Sequence, residues 1–435
     1  MLPVYRITVG IIDTNRDTNR RLANRIYYYW SPKETRKNRC YAMAISKKRI
    51  IEEKIPEIAE LTSRQREAAA HNPTMGNLYV SGPPGSGKTV ILLRRGMYLK
   101  NIKNLRVLVL VFNRTLEKYI TELKNYDNME VETWHRWIYD RYDGHPPQFA
   151  RFEYDWQEIL EREKNSPKEY DVIMVDEGQD LPLELYRILI RIARHVSIFA
   201  DFNQMIKENR ESESELLSLL NGSIPLKKVA LNENFRNTQS IHDFAEKYLV
   251  QIPEQKTICL NPIKGDPPTL NFSLSEEDQL NRIKNYIDNN PEKKVGVFVW
   301  HLSDVEYYYN RIKSLVNSDS IQRYHYKLSK AEKDAIDFTR PGAYILTLQS
   351  AKGLQFDAVF MPQFIDEKVP EIDSPLCKQR VYVAATRPIS ELHIFSGEPV
   401  PSVLELVREE KSIRTVEGQA PSGWEALKEE EEFLF

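Results

Sequence analysis

A parallel α/β architecture in two successive lobes, with a small N-terminal extension, is the fold class that the 435-residue sequence predicts. Three features lead there. Short, continuous apolar runs recur along the chain, as strands covered on both faces require; a half-exposed strand would alternate instead. Helix-period segments separate these runs, and strand–helix–strand alternation leads to parallel pairing through right-handed crossovers. A glycine-rich loop, GPPGSGKT at 82–89, joins one such run to one such helix.

Taken in order, residues 1–60 form the extension. They hold one apolar run, VYRITVGII, and then the basic, aromatic stretch RIYYYWSPKETRKNRCY. That composition suits a surface that stacks bases and binds phosphates. Aromatic-rich runs are also good strands, and a strand packed on the first lobe is the preferred reading. The first lobe, 61–226, carries NLYVSG (77–82), LRVLVLVF (105–112), VIMVD (172–176) and VSIFAD (196–201), with helices expected over 89–100 and 181–194. The second lobe, 227–400, carries VGVFVW (295–300), AYILTL (343–348), DAVFMP (357–362) and ELHIFS (391–396). DGHPP (143–147), KGDPP (264–268) and SGEPVPS (396–402) read as surface loops. Residues 401–435 form an acidic tail, expected to be helical after about 403.

Composition narrows the function classes. No apolar run reaches the length of a membrane span, and the first thirty residues carry charge throughout, so neither a signal peptide nor a membrane segment is expected. Cys40, Cys259 and Cys377 lie far apart with no metal-ligand spacing, which fits reduced thiols in a cytoplasmic protein. The net charge of −2 conceals an asymmetry: residues 1–54 hold 13 Lys and Arg against 5 Asp and Glu, whereas 401–435 hold 4 against 9. A local basic surface is therefore compatible with a nearly neutral chain.

The loop at 82–89 is a complete G-x-x-x-x-G-K-[ST] phosphate cradle in the required context, after a strand and opening a helix. Gly82, Gly85, Ser86 and Gly87 let successive backbone N–H groups face phosphate oxygens. Lys88 brings charge to the β- and γ-phosphates, the Thr89 hydroxyl is a Mg²⁺ ligand, and the helix N-terminus adds partial positive charge. ATP and Mg²⁺ are thus the expected cofactors. In such a fold a second strand must end in an acid that holds the metal. VIMVDEGQD (172–180) supplies it as Asp176, with Glu177 beside it to orient and deprotonate the attacking water.

Around this pair stand LTSRQREAA (61–69), FNRTL (112–116), VETWH (131–135), FADFNQ (199–204), LNENFRN (231–237), TLQSAKGLQFD (347–357) and VYVAATR (381–387). In this order they resemble the motif set of the UvrD/Rep-like helicases of superfamily 1, over about residues 61–396. The resemblance implies two RecA-like lobes with ATP between them. It implies Gln65 on the adenine edge, Phe235 stacked on the ring, Gln204 sensing the γ-phosphate, and Gly353 among the nucleotide contacts. Arg236 and Arg387 would be arginine fingers from the second lobe, whose planar forks suit phosphate. For nucleic acid it implies Asn113, Arg114, Thr133, Trp134, His135, Thr347, Gln349 and Ser350; Trp134 reads equally well as a platform for bases and as core.

Three departures qualify the expectation. The Trp that the family places shortly after FADFNQ is absent, since this chain continues MIKENRES; the Glu that follows SAKGL is Gln355. Lys88 and Asp176 are 88 residues apart, and Arg236 and Thr347 are 111 apart, which leaves no room for the large subdomains that duplex-unwinding members insert there. The reading is an ATP-dependent translocase on single-stranded nucleic acid, with DNA expected over RNA and 3′-to-5′ movement implied by the family, in repair, mobile-element biology or defence. The alternative is a regulatory ATPase subunit that switches shape to control a partner such as a nuclease.

Overall fold

The computed structural model describes residues 58–112, 117, 130–205, 212–222, 224–251, 253, 255–272, 274–316, 320–325, 327–338, 340–364, 374–396, 404 and 413–417. Met1–Lys54 and Ile55–Phe435 are separate units; the basic, aromatic N-terminus, Cys40, Asn113 and Arg114 lie outside the described residues.

The larger unit opens with α1 (Ser63–Ala70), β1 (Asn77–Ser81), α2 (Lys88–Met97), β2 (Val107–Val111), β3 (Glu130–Thr133) and α3 (Trp134–Arg141). A small antiparallel hairpin of β4 (Gln148–Ala150) and β5 (Glu153–Tyr154) follows, then α4 (Trp156–Arg162), β6 (Tyr170–Val175), α5 (Leu183–Ile192), β7 (Ala193–Ala200), α6 (Glu213–Asn221) and β8 (Leu226–Ala230). Six of these strands form one parallel sheet in the order β3-β2-β6-β7-β1-β8. Every residue of β2 is buried, which is why its sequence does not alternate. One face is covered by α5, whose Leu185, Ile188, Leu189 and Ile192 recur at helical spacing and pack against Ile173, Val175, Val196 and Ile198. Each such buried aliphatic side chain contributes about 1.5–3 kcal/mol.

The chain then runs through the short paired strands β9 (Glu233–Asn234) and β10 (Ile258–Cys259), with α7 (Gln239–Glu246) between them. A second parallel sheet follows: β11 (Thr269–Phe272), α8 (Glu276–Asn289), β12 (Lys294–Val299), α9 (Leu302–Leu315), β13 (Ile321–Tyr324), α10 (Lys330–Ala335), β14 (Gly342–Thr347), β15 (Phe356–Met361), α11 (Pro375–Ala385), β16 (Pro388–Ser396) and β17 (Arg414–Glu417). Its order is β13-β14-β12-β15-β16-β11-β17. Both faces are covered. Val295, Val297 and Val299 face α8 and α9, whereas Phe298 faces the cluster built on α7 and α11.

The parallel two-lobed α/β class holds. Two differences are instructive. β8 carries the first sheet to Ala230, past the expected boundary at 226, because Asn77–Ser81 pairs along its length with Leu226–Ala230. In the acidic tail, Arg414–Glu417 is a strand rather than part of a helix, paired in parallel with Thr269–Phe272. The alternating Thr415 and Val416 sit on a sheet edge, where half-exposed strands belong. Among the described residues, no helix is long and apolar enough to cross a membrane.

Candidate functional site

The loop between β1 and α2 turns on two left-handed glycines, Gly85 (φ 78°) and Gly87 (φ 84°). A Cβ on Gly85 would lie 2.4 Å from Asn234 Oδ1, and one on Gly87 would lie 2.9 Å from Gln65 Nε2. Gly82 is tight as well, its added Cβ falling 2.8 Å from Ser86 Oγ. Gly87 caps α2, so the free amides of its first turn face the loop. Lys88 folds back on the same loop, donating to the carbonyls of Gly82 (2.6 Å) and Pro83 (3.1 Å). Ser86 Oγ is buried with no hydrogen-bond partner, a polar atom of the cradle that an incoming phosphate oxygen would satisfy.

At the end of β6, Asp176 Oδ2 accepts from the Thr89 hydroxyl at 3.0 Å, and its Oδ1 accepts from the Glu177 N–H at 3.1 Å. Glu177 adopts φ 52°, a left-handed conformation unusual for a non-glycine residue, which turns its side chain out of the strand direction. The two neighbouring carboxyls are driven apart. Burial and then the Glu177 charge push Asp176 upward; burial would raise Glu177 too, but Lys352 and Lys88 overcome it and keep that carboxyl ionised. A hydroxyl and a carboxylate at this spacing are hard oxygen donors, the kind Mg²⁺ takes beside water and phosphate oxygens, so Thr89 and Asp176 fit that ion.

The second lobe reaches into this network from two sides. Arg387, just beyond α11, donates from Nη2 to Gln204 Oε1 (2.5 Å), and from Nε to the Val383 carbonyl (2.9 Å). Gln204 in turn donates to Asp201 Oδ2 at 2.8 Å. Lys352, 3% exposed, donates to Asp180 Oδ2 (2.5 Å) and to the Gln204 carbonyl (2.8 Å), and its ammonium stands 3.7 Å from Glu177 Oε2. Arg236 donates to the Thr386 carbonyl at 3.4 Å, while Arg387 bonds the Thr386 hydroxyl at 3.1 Å, so both guanidinium groups converge on one residue. Burial disfavours the charge on both, and at Arg236 the Arg387 charge adds to it. Burial disfavours the Lys88 charge likewise. Four cations, Lys88, Arg236, Lys352 and Arg387, meet at the end of the first sheet, an electrostatic frame suited to a polyanion.

Other sequence-predicted residues fall as follows. Gln65 is buried on α1, where its amide oxygen accepts from the Thr62 N–H (3.0 Å) in a capping box and its nitrogen donates to the Ser86 carbonyl (2.9 Å). Phe235 is 42% exposed, and its N–H donates to the Gly85 carbonyl at 3.0 Å, which sets its ring beside the loop. Gly353 takes φ 81° in the turn after Lys352. In the orientation that satisfies its amide, Gln355 accepts from Arg236 Nη2 (3.1 Å) and Nε (3.3 Å), so it faces a guanidinium as a Glu in that place could.

Among the residues expected on nucleic acid, Thr133 caps α3 by accepting from the Arg136 N–H. Thr347 and Ser350 bond each other (2.9 Å) at the end of β14, both partly exposed, and Gln349 is exposed. Trp134 is only 4% exposed and packs on His135, Tyr154 and Trp156, so of its two readings the structure favours core. Residues that the motifs did not single out complete the network. Gln179 donates to Glu177 Oε2 (2.7 Å) and accepts from the Asp201 N–H (2.9 Å). It, Asp180 and Lys352 all lie inside stretches already distinguished, DEGQD and SAKGL, which was the available signal.

Comparison with known proteins places these lobes. A family model described as an AAA domain matches residues 65–210, and one described as the UvrD-like helicase C-terminal domain matches 303–398; together they span more than half of the chain. A protein of Acanthamoeba polyphaga mimivirus assigned as an ATP-dependent DNA helicase is 26% identical over 271 residues, 55% of this chain but only 36% of that relative's length. Among solved structures, the C-terminal domain of a protein assigned as a DNA helicase from Lactobacillus plantarum is similar over 42% of this chain and 98% of its own (19% identity, TM-score 0.31). Arterivirus nonstructural protein 10, a helicase, is similar over 79% and 63% respectively (17% identity, TM-score 0.37).

Proposed function

For a chain that belongs to the UvrD-like helicases of superfamily 1, we propose an ATP-driven motor that steps along single-stranded nucleic acid, DNA in preference to RNA. The observation that carries this reading is the convergence of Lys88, Thr89, Asp176 and Glu177 from one lobe with Arg236, Lys352 and Arg387 from the other. No single lobe holds all of them, so the site is complete only while the lobes are together.

In this reading the loop amides and Lys88 take the triphosphate, Lys88 leaving the Gly82 and Pro83 carbonyls to do so. Mg²⁺, held by Thr89 and Asp176, would neutralise phosphate charge when bound. Glu177, kept ionised by Lys352 and Lys88 and oriented by Gln179, orients the attacking water and receives its proton. Gln204, exchanging its bonds to Arg387 and Asp201, would position that water. Arg236 and Arg387 stabilise charge on the transferring phosphoryl group. Because Arg387 and Lys352 also make contacts between the lobes, gain and loss of the γ-phosphate can open and close the pair, a two-state cycle of the kind that drives stepping.

The short intervals between motifs support a second reading, a regulatory ATPase subunit that uses the same closure to control a partner such as a nuclease. Steady-state turnover of ATP tests the shared site. Lys88→Ala should lose turnover, and Arg387→Ala, although it lies in the other lobe, should lose about a thousandfold in kcat. An Arg387→Ala protein that hydrolyses ATP at the wild-type rate would mean that the lobes do not share the reaction.

A further inference from the structure

Two of the most exposed aromatic rings among the described residues lie within one short hairpin. Phe149, on β4, is 80% exposed, and Phe152, in the two-residue turn before β5, is 46% exposed. Between them Arg151 lays its guanidinium over the Phe152 ring, 5.0 Å from the centroid. Phe152 takes φ 70°, where a turn favours Gly or Asn, so local backbone preference does not explain a phenylalanine there.

The hairpin is also firmly seated. Its base is closed by the Asp155 N–H donating to the Pro147 carbonyl at 2.9 Å, and the Tyr139 hydroxyl donates to Gln148 Oε1 at 3.0 Å. The Phe152 ring stands 4.5 Å from the His135 ring, and His135 Nδ1 is 2.9 Å from the Tyr154 hydroxyl. His135 belongs to α3, which starts where β3 ends. In a parallel sheet that is the same edge from which the phosphate loop leaves β1 and Asp176 leaves β6. The exposed rings therefore stand on the functional edge of the first lobe, the Phe152 ring held by tilted and edge-on contacts with His135 and Tyr139.

We propose that the β4–β5 hairpin is a base-stacking platform for single-stranded nucleic acid, with Phe149 and Phe152 taking successive bases and Arg151 the neighbouring phosphate. A rigid, exposed pair of rings with a guanidinium beside them is what binds unpaired bases without reading their identity. The platform that Trp134 cannot provide, being buried, is supplied by the hairpin that packs on its helix. This inference rests on the motor reading and names the surface through which that motor would hold its track.

The test is anisotropy of a dye-labelled oligothymidylate at low salt, with ATP turnover read in parallel. The wild-type chain should bind it, and Phe149→Ala with Phe152→Ala should bind at least about tenfold more weakly. Phe149→Tyr with Phe152→Tyr should restore binding, and turnover without nucleic acid should not change in either protein. Arg151→Ala should lower the salt slope of binding by about one. An oligonucleotide carrying 5-iodouracil should photocrosslink within 148–154. Undiminished binding by the double alanine variant, with crosslinks elsewhere, overturns the platform alone. A wild-type chain that binds no single strand overturns the platform and the motor reading together.

Discussion

Replacing Lys352 with Met would remove the buried ammonium that ties the second lobe to the acids of the first. Nζ lies 2.5 Å from Asp180 Oδ2 and 3.7 Å from Glu177 Oε2, and Asp180 is itself buried. At an effective dielectric of about 20, the attraction to Glu177 alone is roughly 4–5 kcal/mol before solvation is counted. Removing the ammonium takes from Asp180 its charge-assisted bond, and the net loss on breaking a buried pair is typically about 3–5 kcal/mol. Lys352→Met should therefore cost about 3 kcal/mol in urea unfolding followed by tryptophan fluorescence, urea being preferred because a salt denaturant would screen the effect. Asp180→Asn added to it should recover at least about 1 kcal/mol, because the pair couples. The same change withdraws the first of the cations that hold Glu177 down. The Glu177 pKa should rise, so turnover that needs its ionised form should be lost at a higher pH than in the wild type. A Lys352→Met protein within about 0.5 kcal/mol of wild type, or one to which Asp180→Asn adds its whole cost, would refute a stabilising Lys352–Asp180 tie between the lobes.

Three further expectations concern separate links. Glu177→Gln should bind ATP but not turn it over, as filter binding and product release would show; failure to bind nucleotide would remove its assignment as base. Gly85→Ala must place a Cβ 2.4 Å from Asn234 Oδ1 and 2.8 Å from Arg236 Cβ in a left-handed residue, so ATP turnover should fall at least tenfold, whereas unchanged turnover would mean that the loop and the 233–237 segment are not held together. Burial would raise Glu163, yet bonds from Arg141, Ser166 and Tyr142 hold it at about 2, below its ordinary 4.5. Its folded-state pKa is the lower one, so its contribution is present above about 4.5 and is lost as pH falls from there toward 2. Glu163→Gln should cost about 2 kcal/mol at neutral pH and flatten the acid limb of urea stability, whereas an unaltered acid limb would mean that other carboxylates set it.

What could be read from the sequence follows the physics of burial. The eight strands with continuous apolar runs are interior ones of the two sheets, covered on both faces. The others are short or lie toward the margins, among them Glu130–Thr133, Leu226–Ala230 with exposed Lys227 and Lys228, Ile321–Tyr324, Thr269–Phe272 and Arg414–Glu417. On a sheet margin, polar and apolar residues mix, and four or five such residues do not stand out from loop. The loop at 82–89 was legible because its glycines, lysine and hydroxyl stand together in one short stretch, where Gly85 and Gly87 take left-handed conformations that favour glycine. Lys352 and Gln179 were not, since their partners lie across the lobes or two residues away on a left-handed turn, and spacing alone does not reveal either. Trp134 shows the converse: a motif position left surface ring and core equally open, and packing against Tyr154 and Trp156 made it core.

The central claim is that two lobes share one ATP site and couple it to a single strand. Steady-state ATP hydrolysis at low salt, with and without single-stranded DNA, single-stranded RNA and duplex, tests it most directly, because phosphate contacts weaken steeply as salt rises. A single strand should stimulate turnover strongly, DNA more than RNA, and duplex should do so little. A rate that is indifferent to every nucleic acid would contradict it and leave the regulatory ATPase as the standing explanation of the same site.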